Sequence, residues 1–269
     1  MSWEIARPSR ALALRGFDMA GFRIHGGGSE SLRAIPHPAV TVLLEFGDSR
    51  FDIDDPAGRV RAGSLALGLI RDPVPLRVEA LECVQVRMSP LAASAVLGMP
   101  VSELGGTLVG LDELWGRDAA RLCERLHETP CWQQRFALIE ATLAARLHDR
   151  HPADPEVAWA WRRIVGSRGR YRVEELAAEV GWSRQRLWSR FGAQVGLTPK
   201  RAAKLVRFDH AVHRLVQGQA PALVAADTGY ADQSHLHRDI REFTGAPPAS
   251  AAAEPFLTVD DRAWPSAGG

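Results

Sequence analysis

One stretch of this chain occurs twice, and the repeat limits the folds open to its C-terminal half. Residues 174–196, EELAAEVGWSRQRLWSRFGAQVG, have the pattern of two short helices pinched at a glycine turn. Leu176, Ala177 and Val180 form one apolar stripe, and Gly181 stands where a left-handed residue ends the first helix. Trp182 is sized to plug the angle between the helices, and Ser183 is a good N-cap for the second. Leu187, Phe191 and Val195 recur every four residues and face inward, leaving Arg184, Gln185, Trp188 and Ser189 on the opposite side. Leu223, Ala226 and Asp227-Thr228-Gly229-Tyr230 repeat the first helix and its turn; Ser234-His235-Leu236 through Ile240, Phe243 and Gly245 repeat the second. Gly181 matches Gly229 at an offset of 48, whereas Leu187 matches Leu236 and Gly196 matches Gly245 at 49, so the second turn is one residue longer.

An Arg-rich helix face is usually just a solvated face, and a single helix-turn-helix pattern arises by chance. Duplication gives the pattern its weight. Between the units, residues 200–217 predict one helix with Ala203, Val206, Phe208, Ala211, Val212 and Leu215 on its apolar side, Pro199 in its first turn and Gly218 after its end. Such a helix is about 28 Å long at about 1.5 Å per residue. Successive major-groove openings on one face of B-DNA lie about 34 Å apart, so a single chain can hold two reading helices near that spacing. The expected site is non-palindromic per monomer. Arg suits guanine, Gln suits adenine, and an aromatic ring can meet a thymine methyl.

Over 154–248 the chain resembles the AraC-type transcription regulators. The resemblance rests on Glu-Glu-Leu-Ala-x-x-Val-Gly-Trp-Ser at 174–183, Leu-x-x-x-Phe in the first reading helix, Gly-Leu-Thr-Pro at 196–199 and Gly-Tyr-Ala-Asp-Gln-Ser-His-Leu-His-Arg at 229–238. Ile240, where the family often has Phe or Tyr, and Ala246-Pro247-Pro248 are mild departures. The resemblance implies base-reading positions at Gln185, Trp188 and Ser189 in the first unit and at Gln233, Ser234, His237 and Arg238 in the second. Arg184, Arg186, Lys200, Arg201 and Lys204 are the expected phosphate contacts, with Arg162, Arg163, Arg168 and Arg170 nearby; such contacts orient the protein and do not specify sequence.

The formal net charge of +1 conceals an asymmetry, because residues 161–245 carry +7 and the rest is acidic. A basic patch there supplies salt-dependent affinity for phosphates. No run of 18 apolar residues and no signal peptide is visible, so a cytoplasmic protein without a membrane span is expected. Cys83, Cys123 and Cys131 have neither disulfide nor zinc spacing and are expected as core or neutral surface thiols, a Cys123/Cys131 redox switch being the weaker alternative.

The expected fold class is α+β: a β-rich, divergent cupin-like domain, a helical connector, then an all-α DNA-binding domain of two helix-turn-helix units joined by a long helix. Residues 1–90 are the expected effector-binding domain, with apolar or alternating runs at 21–25, 39–46, 50–53, 64–70, 76–80 and 83–88. Its cupin character comes from the family resemblance. His25 and His37 lie twelve residues apart without a His-x-His pair, so no metal is expected and both are taken as turn or surface histidines. Gly26-Gly27-Gly28 lacks the context of a phosphate loop and is taken as a flexible turn.

Residues 91–150 form the expected connector, with helices at 91–97, 101–111, 112–127 and 132–148; the stripe Phe136, Ile139, Leu143 and Leu147 suits either dimerisation or packing on the barrel. Residues 150–153 read as a linker, with Asp154 and Pro155 capping the next helix. The tail, 249–269, is rich in Pro, Ala and Gly and is expected to be disordered, although Phe256 and Trp264 could dock it. A regulator with a small-molecule effector is the leading reading, with double-stranded DNA, RNA polymerase and a second copy of the chain as expected partners and no cofactor. An enzyme with a catalytic cupin-like domain fused to a DNA-binding module is the alternative, but no nucleophile–base constellation or cofactor fingerprint supports it.

Overall fold

The computed structural model describes residues 2–25, 28–54, 58–147 and 153–264. The N-terminal half is built on β1 (Ser2–Ala6), β2 (Phe17–His25), β3 (Glu30–Ala34), β4 (Val40–Glu45), β5 (Arg50–Asp54), β6 (Val60–Arg61), β7 (Leu65–Leu67) and β8 (Val74–Met88). Two expected strands, 76–80 and 83–88, are one: β8 runs unbroken for 15 residues and organises the sheet. Its first half pairs antiparallel with β3 and β5, and its second half with β2 and β4. No local signal marks the exchange of neighbours, which is why the run reads as two strands in the sequence. β1 extends the sheet beyond β2, β7 extends it beyond β4, and β6 pairs β5.

Strand alternation divides the apolar residues between two cores. Phe17, Met19, Val42, Leu44, Val84, Val86 and Met88 face the helices. Phe22, Ile24, Leu43, Phe51, Ile53, Leu81 and Cys83 face the barrel interior. Continuing the period from Leu81 and Cys83 sends Gln85 and Arg87 inward as well, two polar side chains following apolar ones on that face.

Helices α1 (Pro90–Leu97) and α2 (Val101–Leu104) follow. The helix expected to continue to Leu111 stops at Leu104, because Gly105 and Gly106 turn the chain into β9 (Leu108–Gly110), which pairs with β7. The next expected helix is broken at Gly116 into α3 (Leu111–Trp115) and α4 (Arg117–Glu128). α5 (Trp132–Leu147) buries Phe136, Ile139 and Leu143 within the chain, so its stripe serves packing inside this protein.

The C-terminal half contains α6 (Pro155–Gly166), α7 (Val173–Glu179), α8 (Arg184–Val195), α9 (Pro199–Val216), α10 (Pro221–Thr228) and α11 (Gln233–Thr244). α9 is the hub: α6, α7, α8, α10 and α11 all pack on it, and Leu205, Phe208, Ala211 and Val212 are buried. The core runs continuously from the outer face of the sheet through α1–α5 into these helices. α1 and α2 touch α8, joining the barrel side to the first helix-turn-helix unit.

Through residue 264 the tail is not disordered. It forms α12 (Pro248–Ala252) and α13 (Pro255–Ala263), and α13 packs against α9, β1 and β3. Pro255 starts the helix, and Leu257, Asp260 and Ala263 are buried. Ordering comes from partners far away in the sequence, which a low-complexity composition does not reveal. The linker assigned to 150–153 falls, except for Ala153, outside the described residues, as do Gly26 and Gly27 of the expected glycine turn.

Candidate nucleic-acid interface and the barrel cavity

The two helix-turn-helix units are made by the same local devices. In the first, Gly181 takes φ 67° and the Trp182 N–H closes back onto the Ala177 carbonyl at 3.0 Å. In the second, Gly229 takes φ 79° and the Tyr230 N–H closes onto Ala225 at 3.1 Å. Only a residue without a Cβ takes this geometry cheaply. The Ser183 hydroxyl then accepts from the Arg186 N–H at 3.2 Å, and the Asp232 carboxylate accepts from the His235 N–H at 2.7 Å. Asp232 takes the N-cap place of Ser183, and the extra residue of the second turn is Ala231, between Tyr230 and the cap.

Leu187, Phe191 and Val195 on α8, and Leu236, Ile240 and Phe243 on α11, are fully buried. This leaves Gln185, Ser189, Gln233, Ser234 and Arg238 exposed, with Trp188 and His237 half-buried. Trp188 rests partly on the core, and the Arg184 guanidinium lies 5.4 Å from its ring centroid. Arg186 lies 4.3 Å over Trp182. Gln233 and His237, one turn apart, are hydrogen-bonded at 3.2 Å. Lys200 is exposed at the start of α9. Arg163 caps the Tyr171 ring at 4.7 Å, Arg168 meets His210 at 3.3 Å, Arg170 reaches the Ser167 carbonyl at 3.4 Å, and Arg162 is exposed.

Arg201 and Lys204 have inward partners. Both pair with Glu242 of α11, and Lys204 also reaches the buried Asp239 at 3.2 Å. Arg207 reaches Asp239 at 3.5 Å and covers the Tyr230 ring at 4.6 Å. These contacts lock α11 to α9. The first unit has a different lock: Asp154 sits at the N-cap position of α6, but its carboxylate clamps Arg190 of α8 at 2.7 and 2.9 Å. Sequence reasoning missed both locks, since a charge on the inner side of a reading helix looks like one more surface charge.

In the N-terminal half, the barrel encloses an apolar cavity of about 70 Å³ lined by Trp3, Phe22, Leu32, Phe51 and Leu81, with His37, Thr41, Gln85 and Asp260 as polar points. His37 is therefore not a surface residue. Its Nδ1 accepts from the Ala39 N–H at 3.3 Å and its Nε2 faces the Thr41 hydroxyl at 3.0 Å, the arrangement of a neutral ring. Burial, reinforced by Arg87, lowers its pKa to about 3.

Beside the cavity lies a buried charge cluster. Arg87 of β8 holds Asp260 of α13 with both terminal nitrogens. His213 of α9 approaches Asp260 at 3.3 Å and Asp261 at 3.3 Å. Burial alone lowers the His213 pKa, but the Asp260 hydrogen bond and the Asp209 charge outweigh it and raise the value to about 9. Burial likewise opposes ionisation of Asp260, yet Arg87 and His213 hold its carboxyl well below the usual carboxylate range. Three segments meet at this cluster: the barrel, the hub helix and the tail.

A family model described as a helix-turn-helix domain matches residues 176–253, the span that holds the duplicated unit. Residues 176–253 thus carry a domain similar to this helix-turn-helix family. An uncharacterized HTH-type transcriptional regulator of Bacillus subtilis (strain 168), YbfI, is 36% identical over 64 residues. That match covers 24% of this chain and 23% of the relative, so the chain spans about a quarter of the relative's length. ToxT from Vibrio cholerae has a similar fold along nearly the whole chain. One ToxT structure covers 89% of this chain and 99% of its own at 12% identity and TM-score 0.51. Another, of wild-type ToxT bound to an unsaturated fatty acid, covers 91% and 97% at 9% identity and TM-score 0.52. No helix among the described residues is long and apolar enough to cross a membrane.

Proposed function

We propose that this protein is a sequence-specific, DNA-binding transcription regulator acting in the cytoplasm, a regulator and not an enzyme, which senses a small, largely apolar molecule in its barrel. The observation that carries the reading is the pair of capped helix-turn-helix units, each with its apolar side buried and its polar side exposed, fixed to one hub helix. Gln185, Trp188 and Ser189 read one major groove; Gln233, Ser234, His237 and Arg238 read the next. Arg184, Arg186 and Lys200 meet phosphates. Arg201 and Lys204, already paired with acids, set the pose of α11 more than they bind DNA. The apolar cavity and the contacts of α1 and α2 with α8 support a route from effector to reader. A contact with RNA polymerase and a homodimer belong to the same reading.

Selection of bound DNA from a random pool by the full-length protein, at two salt concentrations, tests it. The expected product is an asymmetric motif with two blocks about ten base pairs apart. Recovery of only salt-sensitive, sequence-independent binding sinks the base-reading assignment. A thermal-shift screen of small apolar compounds tests the sensor, because a ligand bound by the native state raises the melting temperature.

A further inference from the structure

The duplicated unit repeats more than its fold. The first residue of each reading helix, Arg184 of α8 and Gln233 of α11, is exposed and faces a ring one turn further on, Trp188 or His237. The Arg184 guanidinium lies 5.4 Å from the Trp188 ring centroid, and the Gln233 amide nitrogen lies 3.2 Å from His237 Nε2. The two pairs are equivalent: an offset of 49 carries Arg184 onto Gln233 and Trp188 onto His237, as it carries Leu187 onto Leu236. Both rings are half-buried, and Trp188 rests on the core, so the rings are better anchored than the exposed groups they meet. The chemistry differs between the copies, whereas the geometry, a planar donor group beside a ring at i+4, is the same.

We infer that Trp188 and His237 are positioning residues, which fix the planar groups of Arg184 and Gln233 for one base edge each: guanine for Arg184 and adenine for Gln233. This rests on the base-reading proposal above and changes three of its roles. Arg184 moves from phosphate to base, and the two rings move from reading to support.

Donor and acceptor inventories assign the bases. A guanidinium held over an indole ring keeps its N–H edge free, and two parallel donors match O6 and N7 of guanine. The Gln233 amide nitrogen can only donate, so His237 Nε2 accepts from one of its two N–H groups. This contact keeps the amide from flipping. Its second N–H and its carbonyl oxygen then form the donor and acceptor that adenine N7 and N6 require. The position along the helix agrees, because the N-terminal residues of a recognition helix are the ones that contact base edges. Other cations of the region are tied to acids, Arg190 to Asp154 and both Arg201 and Lys204 to Glu242. Arg184 meets a neutral ring instead, which leaves its charge and its donors available. Immobilising a long side chain on binding weakens affinity by about two- to tenfold, and a ring that holds it beforehand removes part of that loss.

The experiment selects bound DNA from a random pool with the full-length protein, then measures affinities of the parent and its variants on that site and its single-base changes. Arg184→Ala is expected to lower preference at one guanine of the first block by about five- to hundredfold. Trp188→Leu keeps an apolar side chain on the core. It is expected to relax that same guanine by about two- to tenfold, to relax no other position, and to add nothing in the Arg184→Ala background. Trp188→Phe retains a ring and is expected to retain the guanine. In the second block, Gln233→Ala and His237→Leu are expected to relax one shared adenine, whereas His237→Gln, which offers an acceptor at the same spacing, keeps it. Transplanting the first pair, Gln233→Arg with His237→Trp, is expected to change that adenine to guanine. Preference between two bases is a ratio within one variant, so it does not depend on how much of that variant is folded.

The inference is overturned if ring and planar group relax different base positions, as two independent readers do, or if Arg184→Ala weakens binding to all sequences alike, as loss of a phosphate contact does. Either result leaves the regulator reading standing, since the parent protein still selects a motif. A parent protein that selects no motif overturns the regulator reading itself, and this inference with it.

Discussion

The turn between α6 and α7 lies flat on the backbone of α9, and one methyl group there should disconnect the first reading unit. Gly169 has φ 73°, and its N–H closes onto the Ile164 carbonyl at 2.9 Å. A Cβ at this position would lie 2.2 Å from the Ala203 carbonyl oxygen and 2.8 Å from the Arg207 nitrogen, both backbone atoms of the buried hub. Gly169→Ala therefore carries the left-handed penalty of about 1–2 kcal/mol and an overpacking cost of about 1–3 kcal/mol. Three residues earlier, Gly166 ends α6 with nothing within 4 Å of where a methyl group would stand, so Gly166→Ala should be neutral or stabilising by up to about 1 kcal/mol. The pair should differ by about 3 kcal/mol, or about 6–12 °C in Tm for a protein unit of 150–250 residues. Calorimetry of the full chain measures the difference. DNA selection on the same variants should show Gly169→Ala losing the first recognition block and keeping the second. Melting temperatures within a degree or two of each other would refute the close approach on which the reasoning depends.

Arg238→Ala should cost about 1–3 kcal/mol on the selected site and relax preference at one base position, whereas Lys200→Ala should weaken binding to all sequences alike and reduce the salt slope by about one; competition assays with single-base variants at several salt concentrations separate them. Phe208 and Phe243 stack at 4.6 Å between ring centroids and are fully buried, so Phe243→Ala should cost about 3–5 kcal/mol, read by urea unfolding. Tail docking should weaken in alkali: His213 has a native pKa of about 9 against 6.5, so its stabilisation, at most about 3 kcal/mol, is complete below 6.5 and lost as pH rises through 9. Asp260, with its pKa depressed, and His37, at about 3, act in the opposite direction in acid, the first losing its ion pairs and the second resisting a proton that the unfolded chain accepts. Hydrogen exchange of 255–263 against pH follows both limbs, and His213→Gln should flatten the alkaline one.

What could be read in the sequence is what local chemistry dictates. The four helices of the two units follow from Gly181, Ser183, Gly229, Asp232 and an apolar step of four, all short-range signals. The barrel was legible only as a class, because β8 takes its neighbours from four strands and no residue near Ala80 announces the change. α13 was illegible for a sharper reason: its Asp260 finds Arg87 across 173 residues. A trace was nevertheless present. In LECVQVRM the alternation puts Gln85 and Arg87 on the inner face, and a buried guanidinium calls for a buried acid. The same limit applies to Lys204 and Arg201, whose basic character is visible along the chain while the acids that engage them become neighbours only through folding.

Because both units are carried by α9, the hub also works as a ruler with a phase. Its 18 residues span about 27 Å, and each residue contributes about 1.5 Å and a rotation of about 100°. Inserting one residue would barely alter the separation of the units but would swing one of them a quarter-turn or more out of alignment with its groove. Substitutions at Gln185 or Arg238 can retune what is read while the frame stays fixed. Descendants of this chain should therefore diverge freely on the reading faces and hardly at all in the length of the helix between them.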